Sequence, residues 1–550
     1  MTDRSPAPGL NLIDRAIAVF APERALRRTQ ARRALAYYEA ARPDRQRKAR
    51  REYGSASNAV RTAGTSIREQ ARHLEQNHDL ARAVLRVLVN STVGSAGIQV
   101  EPTPLRADGS VDEALAQAML EVWDEWGEAP EVTRQLSWPK CQRLLARTKF
   151  RDGEALARFI GANMPIRHAT DIPLSLELLE PDFLPLGHDT DYQGRKVKDG
   201  IELNGWGQPI AFWLYRGHPG EYDGSLIPWS QLSRIDASDI LHLVQRDRLH
   251  QRRGMSEFAS VIERFDHLKD YETSETIAAK VAASMGAAIK KGTPDLYQDD
   301  TDSEGEVTPR DLKFRPGMIF DDLLPGESIE MIGNNGRPNA QLIDFRNSLL
   351  KAATSGMGAS YSAVSRVYDG NYSARRQELV DVWVDYAVLS QDLAAELVRP
   401  VYRRVLTAAL AVGRLRLPAD MPLRRALQAM YVLPSMPWID PAKEAGAWQT
   451  LIQQGLASGP EIVRKRGRSP ADILREEVLW REQWRAAGEP LPTGQAAPVA
   501  PPVPAPRDPD DPDEQEPPDE GDDTDDTDTD DAQARARGVA AQGRPKLHVL

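Results

Sequence analysis

The feature that most constrains this chain is a helical repeat that opens after Arg253-Gly254 and runs for about 34 residues, a rod of about 50 Å. Ser256 is placed as its N-cap. Phe258, Val261, Ile262, Phe265, Leu268, Ile277, Val281 and Met285 keep helical spacing until Gly292 and Pro294 end it. Glu263, Asp266 and Asp270 recur at three- and four-residue steps, so they share one face, either a solvated face or a stripe lining a channel. A turn-rich stretch follows, with short β runs at 312–314 and 328–332, and helical patterning resumes over about 341–357. The rod, a small strand-bearing excursion and a second helix therefore come in sequence.

The flanks have other periods. Between 66 and 126, Ile67, Leu74, Leu80, Val84 and Leu88 mark helices, broken by Gly94, Gly97 and Pro102. The period then falls to two, with Leu174, Leu176 and Leu178 alternating against polar residues and Ile210–Tyr215 forming a compact strand. Asp199-Gly200 and Asn204-Gly205 are type I′ hairpin signals, so 153–245 is expected to be a mostly antiparallel sheet. After a loop at 358–372, Ser373 is placed as the cap of another long helix with Leu379, Trp383, Tyr386, Leu389, Leu393 and Leu397 on its buried stripe. Pro400 is expected to kink or end it. The class is α+β.

The ends differ from this middle. Residues 23–51 are dense in arginine, a basic arm read as a solvated helical face or a contact for DNA or an acidic partner. Past Pro490 the chain is Pro-rich and then acidic, with almost nothing to bury, and is expected to be disordered. The net charge of −11 argues against a surface that grips nucleic acid throughout. A single cysteine, Cys141, excludes an intrachain disulfide and a cysteine-rich zinc site. No apolar run approaches a membrane span and no secretion signal opens the chain, so assembly in a bacterial cytoplasm is expected, with no membrane partner.

Catalytic signatures are missing. There is no G-x-x-x-x-G-K-[ST], H-E-x-x-H, C-x-x-C or G-x-S-x-G, and His242, His250 and His267 are scattered. Ser137-Trp138-Pro139-Lys140 fits S-x-x-K, but the proline weakens the geometry that would bring Lys140 to Ser137, no S-D-N or K-T-G follows, and Ser137 reads better as an N-cap. Asp321, Asp322, Glu327 and Glu330 carry no signal of a matched acid and base. No catalytic, cofactor-binding or metal-binding residue is expected.

Several segments, in order, resemble the lambda-type portal family of tailed bacteriophages: 81–97 (ARAVLRVLVNSTVGSAG), Trp123–Trp126, Arg151-Asp152-Gly153-Glu154, Leu178–Asp182, Gly200-Ile201-Glu202, Gly207–Phe212, Ile240-Leu241-His242 and Arg253-Gly254-Met255-Ser256. Asn371-Tyr372-Ser373-Ala374-Arg375, Trp438–Glu444 and Gly455–Ser458 continue the series, with Ala374 where a second serine is usual. The similarity runs from Arg61 to Glu482. It implies a DNA-conducting ring at one capsid vertex of the virion, usually of about twelve copies. Other head-tail connectors or minor capsid proteins, and more remotely a packaging-associated hydrolase, are the alternatives.

By this resemblance 61–255 is a wing, 256–290 and 340–357 the stem helices, 291–339 the clip and 358–372 a tunnel loop, while the arm at 1–60 and the tail lie outside it. Residues 373–488 then belong to wing and crown, and 489–550 to the tail. Arg366, Tyr368, Asn371 and Tyr372 become DNA-channel candidates, and Glu263, Asp266 and Asp270 stem-lumen candidates. The implied partners are copies of the chain, double-stranded DNA, the large terminase subunit, the major capsid or scaffold protein and a head-completion adaptor. A ring would bury the flanks of two rods that a lone subunit leaves open.

Overall fold

The computed structural model describes residue 23 and residues 54–221, 231–283, 286–291, 327–332, 339–368, 372–436 and 441–487. The bulk of the basic arm, most of the clip and the acidic tail lie outside the described residues. The chain divides into a unit ending at Glu477 and one from Val478 onward. In the second, Trp480 and Trp484 meet edge to face at 5.5 Å.

The first unit opens with α1 (Ala56–Asn77), capped by the Ser55 side chain accepting from Asn58 N, and α2 (Asp79–Val93), closed by Gly94 at φ +75. Then come β1 (Gln99–Pro102), α3 (Glu113–Gly127) and α4 (Trp138–Asp152). The expected breakers at 94–102 act where the pattern put them.

Two antiparallel sheets follow. One has β2 (Glu154–Gly161) between β3 (Leu174–Leu179) and β9 (Ile240–Val244). The other is a meander of β4 (Thr190–Tyr192), β5 (Arg195–Lys198), β6 (Ile201–Leu203), β7 (Pro209–Tyr215) and β8 (Leu232–Asp236). The central strand β2 is buried on both faces: Ala155 and Ala157 join the main helical core, while Leu156 joins a smaller core with Leu179, Ile201, Phe212 and Ile240. Asp199 and Gly200, at φ +53 and +81, turn β5 into β6 as the sequence predicts. Asn204-Gly205 is a different turn. Its positive φ falls at Gly207, and the Asn204 side chain accepts from Trp206 N and Gln208 N, because an asparagine oxygen can close a longer loop as an Asx turn.

The long rod is shorter than the sequence predicts. Ser256 caps a 3₁₀ turn at Glu257–Ser260, the α-helix α5 spans Ile262–Ala283, and β10 (Gly286–Lys291) takes the remainder, pairing with β11 (Glu327–Ile332). Gly286 weakens continuation of a helix, whereas a partner strand satisfies the backbone groups of 286–291 in a ladder. Phe258, Phe265 and Leu268 of the expected stripe are fully buried, but Ile277 is exposed.

After α6 (Asn339–Gly356) and the short α7 (Tyr361–Ser365) comes α8 (Tyr372–Leu393). Pro400 neither ends nor breaks the path. A π turn at Ala394–Val398 precedes α9 (Arg399–Ala411), and Arg399 N bonds back to Ala394 O, so the irregular hydrogen bonding falls in the turn just before the proline and the helix continues past it. The rest is α10 (Leu423–Ala426), β12 (Ala429–Val432) paired with β1, α11 (Pro441–Gln453), α12 (Gly459–Lys465) and α13 (Pro470–Ala487).

Candidate functional site

The segment 358–368 is only partly a loop. Gly358 enters it at φ +63, Ser360 caps α7 by accepting from Ala363 N at 3.2 Å, and Arg366 leaves it at φ +59. The expectation of an open loop over 358–372 is therefore corrected: Ser360 caps one turn of helix, and Val364, at 5% exposure, plugs that turn into the core. The Arg366 side chain is exposed and Tyr368 is half-exposed. Tyr372 opens α8 and Asn371 falls outside the described residues.

The segment is tied to α8 by residues that sequence reading missed. Glu378 accepts from Ser360 Oγ at 2.8 Å, from Ser362 N at 3.1 Å and from the Ser362 hydroxyl. Ser360 N donates to the Tyr386 hydroxyl at 3.1 Å. Burial would raise the Glu378 pKa, but the hydrogen bonds from Ser362 and Ser360 outweigh it and hold the carboxyl below its usual range. Lys351 Nζ of α6 lies 5.2 Å from the centre of the Tyr361 ring. The sequence reading named neither the Ser360 cap nor its partner. Glu378 lies eighteen residues away, and nothing local marks it.

Glu263, Asp266 and Asp270 are all exposed on α5. Seven residues beyond Asp270, on the same face, stands exposed Ile277. The neighbouring α6 exposes Ile343 and Phe345, whose ring meets Tyr271 edge to face at 4.9 Å.

A second constellation lies where the sheet meets the start of the rod. Glu154, with no exposure, accepts from Arg253 Nε at 2.9 Å to each oxygen, from Arg253 Nη2 at 2.6 Å, from Arg68 Nη2 at 3.1 Å and from Gly254 N at 3.2 Å. His242 Nε2 lies 2.9 Å from Glu154 Oε2, the oxygen that Gly254 N also reaches. Arg253 also donates to the carbonyls of Asp199 and Leu184. Burial disfavours the charged carboxylate, yet Arg253 and His242 override it and hold Glu154 well below the usual carboxylate range. Burial pushes the His242 imidazole down, so it is neutral beside a carboxylate already neutralised by arginine. The cluster clamps β2, β9 and the 253–256 turn.

Cys141 is fully buried and its thiol is pushed up to about 12. Ser137 and Lys140 sit exposed at the start of α4. Glu180, Asp182 and His218 bring ligand atoms within 4.8 Å of one another, but Arg72 already bonds Asp182 and lies 3.5 Å from Glu180, supplying the positive charge a metal would bring.

With this geometry in view, residues 42–389 match the family described as phage portal protein, lambda family. The chain is 25% identical over 456 residues to the probable portal protein of Halomonas phage phiHAP-1, covering 80% of this chain and 85% of that one. It is 23% identical over 332 residues to portal protein B of Escherichia phage lambda, covering 55% and 61% of the two chains. A chain from the neck of a native gene transfer agent particle superposes with a TM-score of 0.39 at 13% identity, covering 74% of this chain and 94% of that one. Since the family match spans more than half of its length, this chain belongs to the lambda family of phage portal proteins.

Proposed function

We propose that this portal chain is one sector of a closed ring of about twelve copies through which double-stranded DNA enters and leaves the capsid. Its role is structural, the head-tail connector of its family. The ring would dock the terminase motor during packaging and a head-completion adaptor afterwards, and sit against the capsid or scaffold protein. In this reading α5 and α6 are stem, β10 and β11 belong to the clip, and 358–372 is the tunnel loop. Among the described residues no helix is long and apolar enough to cross a membrane.

The observation that carries the ring is the two-faced character of α8. One face, with Tyr386 and Leu393, is buried in the core; on the opposite face Val380, Val384 and Val388 stand at four-residue steps, exposed by 42%, 62% and 56%. A solvent-facing side has no use for three aligned valines, whereas a neighbouring copy would bury them at every interface of a ring. Val384→Asp places an unpaired carboxylate at each of those interfaces and is expected to reduce the ring to monomers at micromolar concentration with the helix content unchanged. Mass photometry reads the result, and rings of undiminished mass would sink the assignment.

The DNA contact falls to Arg366, the exposed cation at the end of α7. One phosphate contact per subunit gives a ring of weak, salt-sensitive holds instead of a grip. Arg366→Ala is expected to leave assembly intact, lower DNA retention in filled heads and flatten its salt dependence by about one unit of slope for each phosphate no longer neutralised. Full retention across the salt series would remove the segment from the channel.

A further inference from the structure

We propose that Glu378 is the positioning residue of the 358–368 segment: its carboxylate on α8 latches the two serines of α7 and so decides where Arg366 is presented. The consequence for DNA rests on the reading above; the latch itself does not. Between Gly358 and Tyr368 the fully buried apolar side chains are Ala359 and Val364, both small, and Tyr361 packs against the core only in part, so a modest core area holds this stretch down. Hydrogen bonds carry what the core does not. The Ser360 hydroxyl accepts from Ala363 N and donates to Glu378, so it caps α7 and ties it to α8 with the same atom. Ser362 gives its backbone N–H and its hydroxyl to the same carboxylate.

Glutamate fits this place for a definite reason. Three donors converge on it, and an ionised carboxylate offers two oxygens with lone pairs to spare. Glutamine keeps one acceptor oxygen and can hold part of the arrangement, while alanine holds none. The left-handed residues at the two ends, Gly358 and Arg366, are where the backbone changes direction, so release of the latch frees the turn between them and leaves α8 standing.

Hydrogen exchange on assembled full-length rings tests this. Glu378→Ala is expected to speed exchange of the amides in 361–366 by about tenfold or more, with the core amides of α8 near Tyr386 unchanged and with Glu378→Gln restoring part of the protection. Should Glu378→Ala not assemble, Ser362→Ala is expected to produce the same localised acceleration. Unchanged exchange at 361–366 in the variant that assembles would overturn the latch. DNA retention, measured on the same rings, separates the two readings: faster exchange with full retention keeps the latch and overturns the DNA role, whereas faster exchange with lowered retention supports both.

Discussion

Arg253→Ala is expected to destabilise the folded chain by about 3–5 kcal/mol, the cost typical of removing one partner from a buried ion pair. The reason lies in what stays behind. Glu154 has no exposure and cannot recover a hydration shell, and Arg68 and His242 reach it through single hydrogen bonds at 3.1 and 2.9 Å. Arg253, itself 1% exposed in its side chain, also closes the Asp199 and Leu184 carbonyls, which would be orphaned by the same substitution. Arg253→Lys is expected to recover only part of the loss, because an ammonium cannot bond both oxygens in a fork and still reach two carbonyls. Thermal melting should drop by roughly 3 to 6 °C for the alanine variant. A drop under about 2 °C would mean that water enters the cluster and that it is no clamp.

A still larger effect is expected from Gly254→Ala. A β-carbon at Gly254 would lie 1.9 Å from the carbonyl oxygen of Gly153, and one at Gly153 would lie 2.4 Å from the backbone carbon of Met255. Those neighbours are main chain and cannot swing aside as a flexible side chain would. The crossing of 153–154 over 254–255 is also what delivers Gly254 N to Glu154, so separating the strands by even one ångström breaks the charged cluster with it. Gly153 adds a second restriction, at φ +88. Gly254→Ala is therefore expected to cost about 4 kcal/mol or more and to deliver most of the expressed chain as insoluble material. Gly109→Ala, at a glycine with φ +87 and open space around it, is the matched control; it is expected to carry only backbone strain and remain soluble. Soluble, wild-type-like Gly254→Ala would show that the crossing can open without loss.

Local chemistry was legible in the sequence wherever neighbours along the chain decide the outcome. The glycine stop after Val93, the Asp199-Gly200 hairpin, the compact strand at 209–215 and the core stripe of Tyr386, Leu393 and Leu397 all follow from φ preference and apolar period, which a residue carries with it. The ordered motifs also pointed to the family, because Arg151–Glu154 and Arg253–Ser256 are short strings whose residue types are constrained. What those strings are for was decided only in three dimensions. They lie about a hundred positions apart, and a period cannot report that one supplies the carboxylate and the other the guanidinium of a single buried clamp, or that two glycines are needed because two backbones touch.

The same limit explains where the sequence reading went astray. The helical repeat after Ser256 continues in the residue pattern, but a strand partner some forty residues downstream takes 286–291 into a ladder, and pairing energy outweighs a weak local preference. Residues 361–365 wind into a turn of helix because Glu378 and the core receive them. The apolar period of α8 marked the stripe that includes Tyr386, Leu393 and Leu397; that Val380, Val384 and Val388 form a second, exposed face could be known only once the first had been seen to fill the core, since tertiary packing decides which apolar residues are spent inside the subunit.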